Sequence, residues 1–257
     1  MTLRIEVALD YALPGITDCL AQIRAATLPD QEILRAELDT GGAETWTTAA
    51  EDGVGERLWL RPDGGLQLTY SAEVAVNRPV ADLGSLAQDA PADLPSDAVK
   101  YLFPSRYCPS DKFLNFVGSE FGGLSGGAMV AAMRDFVLGH FSYVPGASDA
   151  ETSALETFVT RQGVCRDFAH MLVTLARAGT VPARYVSVYG LNVVPQDFHA
   201  VVEVWLAGRW HMIDPSGMSQ PGDMAKVCVG RDATDVAFLT TYGMATLRNQ
   251  SVSVTAG

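Results

Sequence analysis

The chain has 257 residues, enough for one large domain or two smaller ones with a sizeable core. Its 30 Asp and Glu against 18 Lys and Arg leave a formal charge of −12 with no basic cluster, which argues against nucleic acid and anionic membrane as partners. No apolar run approaches the ~18–20 residues of a membrane span, the opening MTLRIEVALDYAL lacks the apolar stretch of a signal peptide, and the cysteines (Cys19, Cys108, Cys165 and Cys228) form no CxxC pair, so a cytoplasmic protein with free thiols is expected.

Residues 2–9 alternate strictly, with Leu3, Ile5, Val7 and Leu9 on one face, the mark of a half-buried strand. Leu66, Leu68, Tyr70, Ala72, Val74 and Val76 repeat the pattern. Residues 57–61 precede them across Pro62-Asp63-Gly64-Gly65, which reads as a β-hairpin. With shorter apolar stretches near 19–25 and 31–38, residues 1–78 read as an N-terminal antiparallel β-sandwich-like domain. Residues 79–98, rich in Pro, Ala, Asp and Ser, read as a linker. Residues 99–257 follow as an α+β unit. It opens on an irregular, proline-broken YLFPSRYCPSD and a glycine-rich stretch at 118–127. Helices are expected over 128–140 and roughly 153–160, strands over 183–191, 199–206 and 209–214, and a terminal strand near 247–255 that returns to the N-terminal domain.

The centre of this pattern is TRQGVCRDFAH at 160–170. From Cys165 the period turns helical, with Cys165, Phe168, Ala169, Leu172, Leu175 and Ala176 on one buried stripe and Arg166, Asp167, His170, Thr174 and Arg177 on the other side. Gly179 and Pro182 stop the helix. Cys165 thus falls in the first turn, where free N–H groups and the helix dipole favour a thiolate, the nucleophilic form. Downstream, Ala207-Gly208 reads as a two-residue hairpin turn. Partners across it sum to 415, so Asp214 faces Val201 and shares a face with His199, within side-chain reach. A carboxylate beside an imidazole fixes its tautomer and favours its cation.

GVCRDFAH, ARYVSVYG, DFHAVVEVW and IDPS resemble the transglutaminase-like core, a papain-related fold with a Cys-His-Asp triad. PSRYCPSD at 104–111 and VGRD at 229–232 resemble its bacterial two-domain branch. The resemblance implies Cys165 as nucleophile, His199 as general base and Asp214 as orienting acid. It implies a cysteine-dependent amide hydrolase (a protease or amidase) or a transglutaminase-type acyltransferase, working through a Cys165 thioester on a peptide or protein amide. No cofactor and no metal are expected; in particular no acidic loop reads as an EF-hand-like calcium site. The oligomeric state stays open, as does the choice between water and an amine as acceptor. Where family members often carry Trp two residues after the histidine, this chain has Val201.

Other residues read differently. His170, five positions after Cys165, points about 140° away on a helix and reads as structural or as a rim group. His211 faces away from His199, and His140 reads as a core histidine. Asp167 reads as a stabiliser of the helix N-terminus, and Gln162 as an ordinary loop amide or an oxyanion donor. Gly123-Leu124-Ser125-Gly126-Gly127 matches the G-x-S-x-G nucleophile elbow, so a serine hydrolase using Ser125 is an alternative, with Ser125 as a helix cap the plainer reading. A non-catalytic binding or scaffold protein on the same fold is the other alternative.

Overall fold

The alternating start forms β1 (Thr2–Ala12), with Leu3, Ile5, Val7 and Leu9 buried. The computed structural model describes residues 1–257. One edge of β1 pairs antiparallel with β6 (Gly65–Val76) and the other with β14 (Thr246–Ala256). With β3 (Gln31–Asp39) the sheet runs β14-β1-β6-β3. A second sheet, ordered β13-β2-β5-β4, is built from β2 (Cys19–Ala21), β4 (Glu44–Ala49), β5 (Glu56–Arg61) and β13 (Leu239–Thr241). Leu58, Leu60 and Cys19 of this sheet share one core with Val7, Leu66 and Leu68 of the first. The sandwich therefore draws strands from both ends of the sequence.

The hairpin expected across 62–65 does not form. β5 and β6 belong to different sheets, and the short link crosses between them, with Pro62 O accepting from Thr17 N–H at 3.1 Å. Their alternating apolar faces meet across the core instead of lying side by side, and alternation alone does not distinguish the two arrangements. β4 is exposed on both faces and carries no alternation to read.

Five helices follow: α1 (Ser96–Val99), α2 (Leu114–Phe121), α3 (Gly126–His140), α4 (Ala154–Thr160) and α5 (Cys165–Ala178). Part of the glycine-rich stretch is thus helical. The two glycines that open α3 serve packing: a Cβ on Gly127 would stand 1.7 Å from Leu83 O, and Gly126, at φ +54°, would meet Leu86 O at 2.6 Å. They let the crossing segment lie directly on the start of α3. Ser125 is the N-cap residue of α3 and follows a helix, not a strand, so the elbow that a serine nucleophile needs is absent.

The third sheet, all antiparallel, runs β11-β10-β9-β12, from β9 (Ala183–Gly190), β10 (His199–Leu206), β11 (Arg209–Ile213) and β12 (Met224–Gly230). α5 packs on β9 and β10, and α3 and α4 cover its other side. It is therefore buried all round, not along one stripe: every residue from Asp167 to Ala178 is buried. Its one deeply buried cation finds partners inside. Arg177 donates to the carbonyls of Ala183, Phe103 and Arg231 at 2.6–3.1 Å, so a buried guanidinium is tolerated. A further buried cluster ties the sandwich to the third sheet: Glu203 accepts from Arg184 and Lys226, and Arg184 reaches Asp52 at 3.2 Å. No helix is long and apolar enough to cross a membrane.

Candidate active site

The entry into α5 is built tightly. Asp167, fully buried, accepts from the Val164 N–H at 2.8 Å and from Ser148 Oγ–H at 2.5 Å, and pairs with Arg166 at 3.0 Å. It satisfies one free donor of the helix start and places a charge where the dipole favours it. A side chain at Gly163 would collide with Asp167, its Cβ meeting that of Asp167 at 2.6 Å, so the two residues specify each other. This holds Cys165 at the first helical position. It is half-buried, whereas Cys19, Cys108 and Cys228 are buried. Burial pushes the Cys108 and Cys228 thiols up to about 12, which leaves them protonated and unreactive.

The β10–β11 register follows from the Ala207-Gly208 turn, where both residues have positive φ. Val202 lies opposite Ile213 and Leu206 opposite Arg209. Extended by one step past β11, that register sets Asp214 opposite Val201 and on the same face as His199, its diagonal neighbour. The imidazole Nε2–H donates to Asp214 Oδ2 at 2.9 Å, and both side chains are almost fully buried. Asp214 is itself well supplied. Its Oδ1 accepts from the N–H and hydroxyl of Ser216 at 2.8 and 2.6 Å, and Oδ2 also accepts from Ser219 N–H at 2.9 Å. Burial works against its charge, but the bonds to His199, Ser216 and Ser219 hold the carboxyl below its ordinary range. For His199, burial disfavours the cation. The bond to Asp214 and the adjacent Cys165 thiol outweigh it and raise the imidazole to about 9. Its Nδ1 is buried without another protein partner.

Tyr143 joins this group and was not visible in the sequence. β7 (Ser142–Tyr143) pairs in parallel with β8 (Gln162–Gly163), setting Tyr143 beside Gly163, two residues before Cys165. Its hydroxyl lies against both the thiol and the backbone N–H of Cys165. Burial first, and the thiol second, push the phenol up to about 12, so it remains a donor. Strands of two residues are too short for periodicity to reveal; the one local signal is an aromatic residue just before the Pro145-Gly146 turn.

The other residues singled out in the sequence lie elsewhere. Gln162 is exposed and its side chain makes no bond within the protein. His211 donates its Nε2–H to Leu206 O, 3.1 Å away. His140 is exposed, a correction to its reading as a core residue; it ends α3 and stacks on Phe136 at 4.4 Å. His170 is fully buried, five positions from Cys165 and outside the group. Val201 packs among Val186, Val188 and Met212, so the position that often carries Trp fills core here. A cleft of about 870 Å³ reaches Asp214 and Ser219 from behind but touches neither Cys165 nor His199.

The chain resembles known proteins in sequence and fold. The model of the transglutaminase-like superfamily matches residues 120–215, a span that includes Cys165, His199 and Asp214. The crystal structure of a candidate cysteine protease from Cytophaga hutchinsonii superposes with a TM-score of 0.93 at 30% identity, over 99% of this chain and 90% of that one. An uncharacterized protein of Mycobacterium leprae is 34% identical over 119 residues, covering 43% of this chain and 42% of its own length. One from Mycobacterium bovis is 32% identical over 127 residues, 42% of this chain and 40% of that protein. The chain thus spans about two fifths of the length of the curated relatives it matches. Matched across its middle by the family model and along nearly its whole length by a solved neighbour, the chain belongs to the transglutaminase-like superfamily.

Proposed function

We propose that the protein is a cysteine-dependent amide hydrolase or acyl-transfer enzyme. One observation carries the reading: a buried imidazole, raised to about 9 by its bond to Asp214, stands next to the least buried cysteine at a helix N-terminus. The designation of the Cytophaga hutchinsonii neighbour as a candidate cysteine protease supports the hydrolytic branch.

In the proposed reaction, Cys165 Sγ attacks the carbonyl carbon of a peptide or protein amide, and the carbonyl electron pair moves onto oxygen. The Cys165 N–H and the Tyr143 hydroxyl donate to that oxyanion. The His199 cation passes its proton to the departing amine as the C–N bond breaks, leaving a thioester on Sγ. Neutral His199 then takes a proton from water, giving the acid, or from an amine, giving a new amide, and the thiol is regenerated. Asp214 keeps the ring in the tautomer and orientation both steps need. The four free thiols support a reducing compartment for this chemistry.

The test is iodoacetamide alkylation followed by peptide mass spectrometry. At pH 6, Cys165 is expected to react far faster than the other three cysteines, and His199→Ala is expected to slow it by roughly tenfold or more. Equal, slow alkylation in both proteins would overturn the reading and favour a binding role. Tyr143→Phe is expected to leave alkylation largely intact and to lower amide turnover by ~100-fold, the usual loss for one oxyanion donor. Adding a primary amine to a turnover reaction and weighing the products separates transfer from hydrolysis.

A further inference from the structure

The loop of residues 191–198 joins β9 to β10 and delivers the chain to His199. Two bonds tie it to β14: Gln250 Nε2–H donates to Asp197 Oδ1 at 2.9 Å, and Val254 N–H donates to Gln196 Oε1 at 2.5 Å. The Phe198 N–H also donates to Asp197 Oδ1, at 2.8 Å. One oxygen of Asp197 is therefore held by two donors. The other has no protein donor, and no arginine, lysine or histidine pairs with the carboxylate. The residue is exposed. Its charge is felt by the phenol of Tyr143, which lies against Cys165, and by that of Tyr11 at the end of β1.

The other acids of the site are already engaged. Asp214 is occupied by His199, Ser216 and Ser219, and buried Asp167 by Arg166, Ser148 and the Val164 N–H. Asp197 is thus an oriented, uncompensated negative charge two residues before His199, on the loop that leads into the candidate site. We propose that Asp197 is a specificity residue that selects substrates carrying a positive charge, a lysine or arginine side chain flanking the scissile amide. The inference rests on the acyl-transfer reading and names its substrate class. A carboxylate already held by two donors needs little reorganisation to meet a cation, and rim charges of this kind act chiefly on encounter and selectivity.

The test uses two methanethiosulfonates of similar size and opposite charge, the 2-(trimethylammonio)ethyl and 2-sulfonatoethyl reagents, with Cys165 modification followed by mass. The cationic-to-anionic rate ratio, divided by the same ratio for a small free thiol, reads the local potential and cancels the thiolate fraction. Asp197→Asn keeps an acceptor for Gln250 and Phe198 while removing the charge. It is expected to lower the normalised ratio by roughly tenfold at low salt, and by less at high salt. Asp63→Asn, in the turn between β5 and β6, removes one charge from the same −12 total and is expected to leave the ratio unchanged. An unchanged ratio in Asp197→Asn, or an equal drop in both variants, would overturn the inference while leaving a reactive Cys165 intact. A Cys165 inert to both reagents would instead overturn the acyl-transfer reading, and the inference with it. With peptide amides, the wild type is expected to prefer lysine over norleucine beside the cleaved bond, and Asp197→Asn to lose that preference.

Discussion

His170 and His199 are both buried, at 0% and 2% exposure, and both have an aspartate within electrostatic reach, yet they sit on opposite sides of neutrality. His170 stacks on Tyr107 and tilts against Tyr185, with ring centroids 5.0 Å apart in each case, and its Nε2 accepts from Ala233 N–H at 3.1 Å. Burial drives it down to about 3; Asp232 opposes this, and Arg166 and Arg177 reinforce it. Asp232 does not bond to the ring, because its oxygens accept from the Tyr107 and Thr234 N–H groups at 3.0 and 2.9 Å. Asp214 does bond to His199, and His199 is raised to about 9. Burial neutralises an imidazole unless a carboxylate aims a lone pair at it. A core histidine and a proposed proton carrier differ here in the bond to a carboxylate, with the Cys165 thiol adding to it at His199 and two arginines opposing the cation at His170.

Removing that bond should break the contrast most sharply. Asp214→Asn is expected to let burial dominate at His199 and to lower kcat/KM for amide cleavage or transfer by roughly 10³–10⁴-fold, the scale seen when a triad acid becomes an amide. A loss below tenfold would mean that Asp214 does not govern the ring.

The next effect appears in acid. Because His170 is depressed in the fold, its contribution to stability is complete above its ordinary value of 6.5 and is lost as pH falls from there toward 3. Depressed Asp214, and Glu203 lowered to about 2 against the pull of burial by Lys226 and Arg184, also lose stability in acid. The informative quantity is therefore the difference between wild type and His170→Phe in chemical denaturation. The wild type is expected to lose a few kcal/mol more over that window. The variant carries a pH-independent cost of about 1–3 kcal/mol for the orphaned Ala233 N–H.

His199 has the opposite sign. Raised in the fold, it contributes fully below 6.5 and loses its contribution as pH climbs through about 9, a change on the order of 3 kcal/mol. Melting curves of wild type and His199→Gln should converge over that interval, and parallel curves would show that the pair is not charged. The smallest effect concerns support. Gln250→Ala, which frees Asp197 and the loop before His199, is expected to cost only a few-fold in kcat without moving the alkaline limb of the pH profile.

Much of this was legible in the residues. The alternation of Leu3, Ile5, Val7 and Leu9 defined β1, and the Ala207-Gly208 turn was enough to work out that His199 and Asp214 share a face. Local period reads a strand and a tight turn well because both are set by neighbours in sequence. It failed at long range. The link at 62–65 looks like any hairpin loop, and only the sandwich core decides that β5 and β6 face each other. The period of α5 sets its polar half apart from the buried stripe and gives no sign that it too is buried, because partners such as Phe103, Ser105 and Arg231, which absorb Arg177, come from distant segments. Tyr143 depends on a two-residue parallel pairing with no signature of its own.

The pairing of β1 with β14 carries a consequence for synthesis. Chains emerge from the ribosome N-terminus first. Cys165, His199 and Asp214 are all made before β14, whose Gln250 and Val254 tie down the loop leading to His199. Until then β1 lacks a neighbour on one edge, and closing that edge joins segments more than 200 residues apart, a slow contact to form. The thiol is therefore translated early, but its surroundings are completed late.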